Sequence, residues 1–179
     1  MSENNIQIEL LKMNIGRFDH YIATTNAKSS IILAFNALVI GTILLKYDVF
    51  VRLFSNVNWC LYIAIPLISL LGILSTASII YAFRVVNPFL KSGKITNNYD
   101  SVLFFKSISE MGYGTYKEKI EKSNSENLME DLERQSYQLA LGMSQKCKDT
   151  EKSIKCIYFS LAIIIILLIL KGVVSYVIL

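Results

Sequence analysis

The sequence predicts an all-α integral membrane protein with three transmembrane helices, a helical cytoplasmic module, and a long helix that continues into the last span. Three observations carry that prediction. The mean hydropathy is +0.45. Only 18% of the 179 residues are charged, against about 25% in soluble globular domains. The charges are also segregated, with none between Lys28 and Lys46, none between Arg52 and Arg84, and none between Lys155 and Lys171. A bilayer core of about 30 Å takes roughly 20 apolar residues at 1.5 Å each, so each uncharged window is a candidate span.

Residues 1–28 read as a polar, amphipathic segment without the basic start or small-residue cleavage site of a signal peptide, so it is expected to stay on the membrane, on the cytoplasmic side by the charge argument below. The first span, 29–46, sits at the lower length limit, and the flanking Lys28 and Lys46 can reach the headgroups on their long stems. Residues 47–56 read as a short external loop. The second span, 57–83, is long enough to cross with tilt, and Pro66 falls near its start, where a missing N–H is best tolerated. Residues 84–154 read as the cytoplasmic module. The third span, 155–176, is interrupted only by Lys171, an interfacial anchor on the far side, and 177–179 form an external tail.

Orientation follows from the basic residues. Twelve of the eighteen Lys and Arg lie between Arg84 and Lys155, against only Lys46 and Arg52 around the first hairpin loop. By the positive-inside rule the module and the N-terminus are cytoplasmic and the C-terminus is on the opposite side. The module also holds ten acids, which leaves a net charge of +2. That balance describes a folded, charged unit rather than a polybasic tail, and no nucleic-acid partner is expected.

Within the module, "VVNPFLKSGKITNNYD" is rich in turn formers and reads as a loop. A short amphipathic helix follows over about Ser101 to Lys122, with Phe105, Ile108 and Tyr116 on one side and the glycines of "GYG" as a break point. Then "SNSENLMEDLERQSYQLALGMSQKCKDTEKSIK" opens with Ser and Asn capping chemistry and early acids, and carries Leu128, Leu132, Leu139 and Met143 at helical spacing. No Gly-Pro stop separates it from the third span, which predicts one helix of about fifty residues.

Catalytic chemistry is missing from the pattern. The lone histidine, His20, lies on the amphipathic N-terminal segment, and Cys60, Cys147 and Cys156 lack metal-ligand spacing. No GxGxxG, P-loop or nucleophile elbow appears, so the chain reads as a non-enzyme with no catalytic residue, metal or cofactor. "GYG" at 112–114 shares letters with the potassium filter, yet it lies between charged soluble helices rather than on a re-entrant loop. Asn36, in the middle of the first span, reads as glue between helices, with a pore-lining role as the alternative. Lys171 is an intramembrane cation near the interface, read as an anchor.

Several of these stretches carry a family resemblance. "TTNAKSSIILAFNALVIGTILL" resembles the start of the first span in the Pycsar transmembrane effectors, a D-x-K-A-like turn followed by small and aliphatic residues and an asparagine. "VNPFL", "SVLFFKSISEMGYGTYKEKI" and "EDLERQSYQLALGMSQKCKDTEKSIK" are similar to that family's proline after the second span, its Phe-Phe helix with a following Tyr, and its Q-x-Y-x-L-A helix ending in Lys. The matching residues are Pro88, Phe104, Phe105, Tyr116, Gln135, Tyr137, Leu139, Ala140 and Lys146. Asn26 stands where the family often has an acid, and Ser29 where it often has alanine.

The resemblance implies a multi-pass protein of the bacterial inner membrane, with a periplasmic C-terminus, acting in antiphage defence. It would answer the product of a pyrimidine nucleotide cyclase, cyclic CMP ahead of cyclic UMP, by oligomerising or rearranging and impairing the membrane, so that the infected cell stops growing or dies. Its partners would be the lipid bilayer, further copies of itself and, through the nucleotide, the cyclase. A cyclic phosphate calls for an arginine or a helix N-terminus, and a pyrimidine for an aromatic face. Arg134 with Gln135, Tyr137, Tyr116 and Lys106 form the candidate site, the alternative for Arg134 being an i,i+4 pair with Glu130. The competing functional classes are a non-gated membrane scaffold and a holin-like protein.

Overall fold

The computed structural model describes residues 3–55, 57–87 and 101–178. Five helices order the chain: α1 (Glu3–Ser55), α2 (Asn58–Val86), α3 (Phe105–Glu110), α4 (Tyr113–Lys122) and α5 (Ser125–Ile178). No strand occurs among the described residues. α1, α2 and α5 are each long and apolar enough to cross a membrane, so the all-α membrane architecture holds.

Boundaries differ from the sequence reading at three places, each for a local reason. α1 absorbs residues 47–55, read above as a loop. The segment "KYDVFVRLFS" has no Gly or Pro to stop a helix, and the turn is confined to the residues around Val57, whose N–H reaches the Phe54 carbonyl at 3.3 Å. Pro66 lies inside α2 rather than in its first turn; spanning helices accept such a proline because neighbouring groups re-satisfy the freed carbonyl. The helix expected over 101–122 is two helices. The break falls at Met111 and Gly112, both extended, while Gly114 lies within α4. Pro88 and the remainder of the segment expected as a loop, to residue 100, lie outside the described residues.

The ends of α5 and α2 are closed by local chemistry. Asn124 accepts the Asn127 N–H through Oδ1 at 2.8 Å, which caps the start of α5. The Asn87 N–H closes the last turn of α2 on the Phe83 carbonyl at 2.9 Å. α5 then runs unbroken for 54 residues, about 80 Å at 1.5 Å per residue.

The chain divides into two compact units. One comprises Met1–Thr24 and Pro88–Gln145, the other Thr25–Asn87 and Lys146–Leu179. In the first unit, the buried Asp131 carboxylate accepts the Val102 N–H at 2.9 Å. Ser101 Oγ accepts the N–H groups of Leu103 and Phe104 at 3.1 and 2.9 Å, setting the turn into α3. Leu132 is buried beside Asp131, whereas Phe105 is 64% exposed.

The second unit is a three-helix bundle with buried positions in a three-and-four rhythm. On α1 these are Thr25, Ser29, Ile32, Asn36 and Val39; on α2 they are Cys60, Ala64, Ile68, Leu71, Ser75, Ser78, Ala82 and Val85; on α5 the series includes Lys146, Asp149, Ser153, Ser160 and Ile163. That rhythm is the seam of helices packed as in a coiled coil. Two apolar clusters form part of it, Phe54 with Cys60, Ala64 and Val174, and Val39 with Leu71 and Ile163. The outer faces carry Ile31, Leu38, Leu45, Ile73, Leu168 and Ile169, all exposed, which suits hydrocarbon.

Asp131→Ala is expected to leave the Val102 N–H without its acceptor and to destabilise the first unit by about 1–3 kcal/mol. Hydrogen exchange at residues 102–104 checks this, with faster exchange there than in the α2 backbone.

Candidate functional site

In the first unit a cleft of about 410 Å³ is lined by Val102, Thr115, Glu118, Lys119, Lys122, Ser123, Asn127, Glu130 and Asp131. Three elements build it: the turn before α3, the body of α4, and the first turns of α5. Its charges are mixed. Lys122 Nζ pairs with Glu118 at 2.5 Å, and Arg134 holds Glu130 through Nη2 at 2.6 Å and Nε at 3.1 Å. Of the five residues singled out for ligand contact, none lines this cleft. Arg134 borders it through Glu130, Lys106 pairs with Glu110 at 3.9 Å, and Tyr137 is exposed. Gln135 and Tyr116 are half-buried.

The second unit contains a polar network inside its bundle. Asn36, fully buried, donates from Nδ2 to the Ile32 carbonyl at 2.8 Å and to Ser78 Oγ at 2.9 Å. Ser78 Oγ meets Ser153 Oγ at 2.9 Å, and Ser153 Oγ donates to the Ser78 carbonyl at 2.8 Å. One amide and two hydroxyls thus join α1, α2 and α5 within one chain. Sequence reasoning noticed Asn36 and missed its partners. The available signal was the seven-residue spacing of Ser29 with Asn36 and of Ser153 with Ser160. Ser29 Oγ, Asn36 Oδ1, Ser75 Oγ and Ser160 Oγ are buried and find no hydrogen-bond partner among the described residues.

At one end of this seam lies Lys146, buried on α5. Its ammonium donates to the Val85 carbonyl, to Asn26 Oδ1 at 3.1 Å and to the Asn87 carbonyl at 3.3 Å. An ammonium has three protons, and here three neutral oxygens receive them. Two of those oxygens lie at the C-terminal end of α2, the Val85 carbonyl in its last turn and the carbonyl of the C-cap residue Asn87, where a cation is favoured by the helix dipole. The same end carries Arg84 and Lys152, each 5.5 Å from the centre of the Tyr81 ring. Lys28 is exposed here, and Lys171 is exposed near the other end. Lys146→Met is expected to strand those carbonyls and lower stability by about 1–3 kcal/mol, whereas Asn26→Asp supplies an anionic acceptor and raises it by about 1 kcal/mol. Thermal unfolding of the detergent-solubilised protein reads both signs.

Comparison with known proteins places these features. The chain matches the Pycsar effector protein domain over residues 10–171. It is 29% identical over 175 residues to the Pycsar effector protein EcPycTM of Escherichia coli, covering 96% of this chain and 94% of that relative. No solved structure matches it. A match over nearly the whole length includes the seam, the Lys146 cage and the cleft, and the chain belongs to the Pycsar effector family.

Proposed function

We propose that this protein is an antiphage effector of the bacterial inner membrane that responds to a cyclic pyrimidine mononucleotide by impairing that membrane, arresting or killing the infected cell. The observation that carries the reading is the family match over residues 10–171. It agrees with an architecture in which one helix, α5, contributes both to a charged unit with a ligand-sized cleft and to a membrane bundle. The basic end of the bundle, with Lys28, Arg84, Lys146 and Lys152, supports a cytoplasmic N-terminus and a periplasmic C-terminus.

The cleft is the proposed nucleotide site. Its volume of about 410 Å³ lies in the range of small-molecule sites. Lys119 and Lys122 would face the cyclic phosphate. Glu118, Glu130 and Asp131 offer acceptors for the exocyclic amine of cytosine, a donor that uracil lacks, and this favours cyclic CMP over cyclic UMP. Lys106, Tyr116, Gln135 and Tyr137 stay in the proposal as residues of an enlarged site formed when chains associate. Binding has to break exposed ion pairs such as Lys122 with Glu118 and Arg134 with Glu130, which cost only about 0–1 kcal/mol each. The phosphate can therefore displace them.

Membrane potential, read with a voltage-sensitive dye in cells co-expressing cyclases for cyclic CMP, cyclic UMP or cyclic AMP, tests the reading. Depolarisation with cyclic CMP alone is the expected outcome. Depolarisation without any nucleotide would instead identify a holin-like protein, and no response to any nucleotide a membrane scaffold. Lys122→Ala and Arg134→Ala are expected to weaken nucleotide binding by about 10-fold or more, the worth of one charge-assisted hydrogen bond. Equilibrium binding with radiolabelled cyclic CMP measures that loss.

A further inference from the structure

Each of the three bundle helices, followed from its basic end, passes through the same succession of layers. α1 runs from Asn26 through Ser29 and Asn36 to Val39, α2 from Val85 through Ser78 and Ser75 to Leu71, and α5 from Lys146 through Ser153 and Ser160 to Ile163. A mostly polar stretch, with Ile32 and Ala82 also buried in it, thus runs into an apolar cluster in which Val39, Leu71 and Ile163 pack together, Ser75 and Ser160 lying four and three residues from Leu71 and Ile163. Beyond it comes the second apolar cluster, with Phe54, Cys60, Ala64 and Val174.

The polar section holds more hydrogen-bonding capacity than its side chains use. Both amide hydrogens of Asn36 are committed, to Ile32 and Ser78, so its fully buried oxygen requires a donor from outside the network. The three other unpartnered atoms are hydroxyls, one from each helix, Ser29, Ser75 and Ser160, all fully buried. Adhesion between helices is satisfied by the Asn36–Ser78–Ser153 contact and gains nothing from four idle polar atoms. Water is small enough for a seam of serines, and it both donates and accepts.

We infer that the Ser29–Asn36–Ser75–Ser160 section is a water-binding section of the membrane bundle, and that the Val39–Leu71–Ile163 layer is the dry seal that ends it. Apolar constrictions of this kind gate by dewetting. The seam and seal stand on the geometry of the bundle; their opening by a nucleotide rests on the function proposed above. Opening then consists in wetting the seal and, beyond it, the Phe54–Cys60–Ala64–Val174 cluster, which together join the polar section to the far side and let small ions follow the water.

The test is membrane potential in cells expressing the full chain. Without any cyclase, Leu71→Ser and Val39→Ser are expected to depolarise, while Leu168→Ser, the same change on an exposed outer face, is not. With the cyclic CMP cyclase, the Ser75→Ala/Ser160→Ala double variant is expected to need at least tenfold more nucleotide for the same depolarisation, with membrane insertion and nucleotide binding unchanged. A purely packing role for the serines leaves that response at the wild-type level.

If the wild type responds to nucleotide, the seal variants insert and stay silent, and the double serine variant responds like wild type, the inference is overturned and the nucleotide reading stands. If the wild type ignores every nucleotide while Leu71→Ser leaks, the seam and seal stand and the nucleotide reading falls. Silence of every protein overturns both. Should the seal variants fail to insert, the double serine variant decides alone.

Discussion

The contact of Asn36 with Ser78 and of Ser78 with Ser153 is what the three membrane helices depend on, because hydrocarbon removes the usual reason for helices to associate. Lipid tails are as apolar as leucine, so burying leucine against leucine gains little there, and packing of small residues with hydrogen bonds across helices must supply the cohesion. The bundle follows that rule where its helices are closest. Ser29, Ser75, Ser78, Ser153 and Ser160 are fully buried, and the hydroxyl of Ser78 is shared between the amide of α1 and the serine of α5. Larger apolar side chains are left to the layers beyond and to the outer face.

Lys146 extends the same logic to the end of the bundle. A buried ammonium without a partner is costly, yet here the last carbonyls of α2 need donors, and one side chain of α5 meets both needs together with Asn26 of α1. All three helices are therefore tied twice, once by serine and asparagine in the middle and once by lysine at the end. The oxygens that receive Lys146 and Asn36 are an amide, main-chain carbonyls and a hydroxyl, so these bonds depend on geometry more than on a paired charge.

The all-α membrane class was legible because hydropathy and charge segregation are properties of long windows, and long windows average over local detail. The unbroken α5 was legible for the same reason, since no glycine-proline stop interrupts it. Boundaries were less so: the loop read over 47–56 rested on Lys46 and Asp48 marking the membrane surface, but leaving the membrane does not oblige a helix to end. The candidate ligand residues rest on a different kind of signal. Arg134, Tyr116 and Lys106 were chosen by side-chain chemistry, whereas a cleft is defined by which helix faces meet, and that depends on where α4 turns onto α5. Lys146 was recognised only as part of a motif. Its role needs Asn26, 120 positions away, and the end of α2, and no local pattern connects them.

A membrane effector triggered by a small nucleotide has to work within a narrow energetic window. Moving a two-state equilibrium from 1:99 to 99:1 needs about 5.5 kcal/mol of differential binding, a large share of what a ligand held by a few charge-assisted contacts can provide. Under the proposed function the resting bundle has to be stable, but only by a few kcal/mol. A core of leucine and phenylalanine throughout would add rigidity that no such ligand could overcome, while a fully polar core would leak. The layered core lies between these limits. With the inferred water bound, the four buried polar atoms that find no partner among the described residues bond to water rather than to a neighbouring helix, so this section adds less cohesion than Asn36, Ser78, Ser153 and Lys146 do. Under the proposed function, the water-binding section around Ser29, Ser75 and Ser160 limits how firmly the bundle stays closed, and the Val39–Leu71–Ile163 cluster is where it closes.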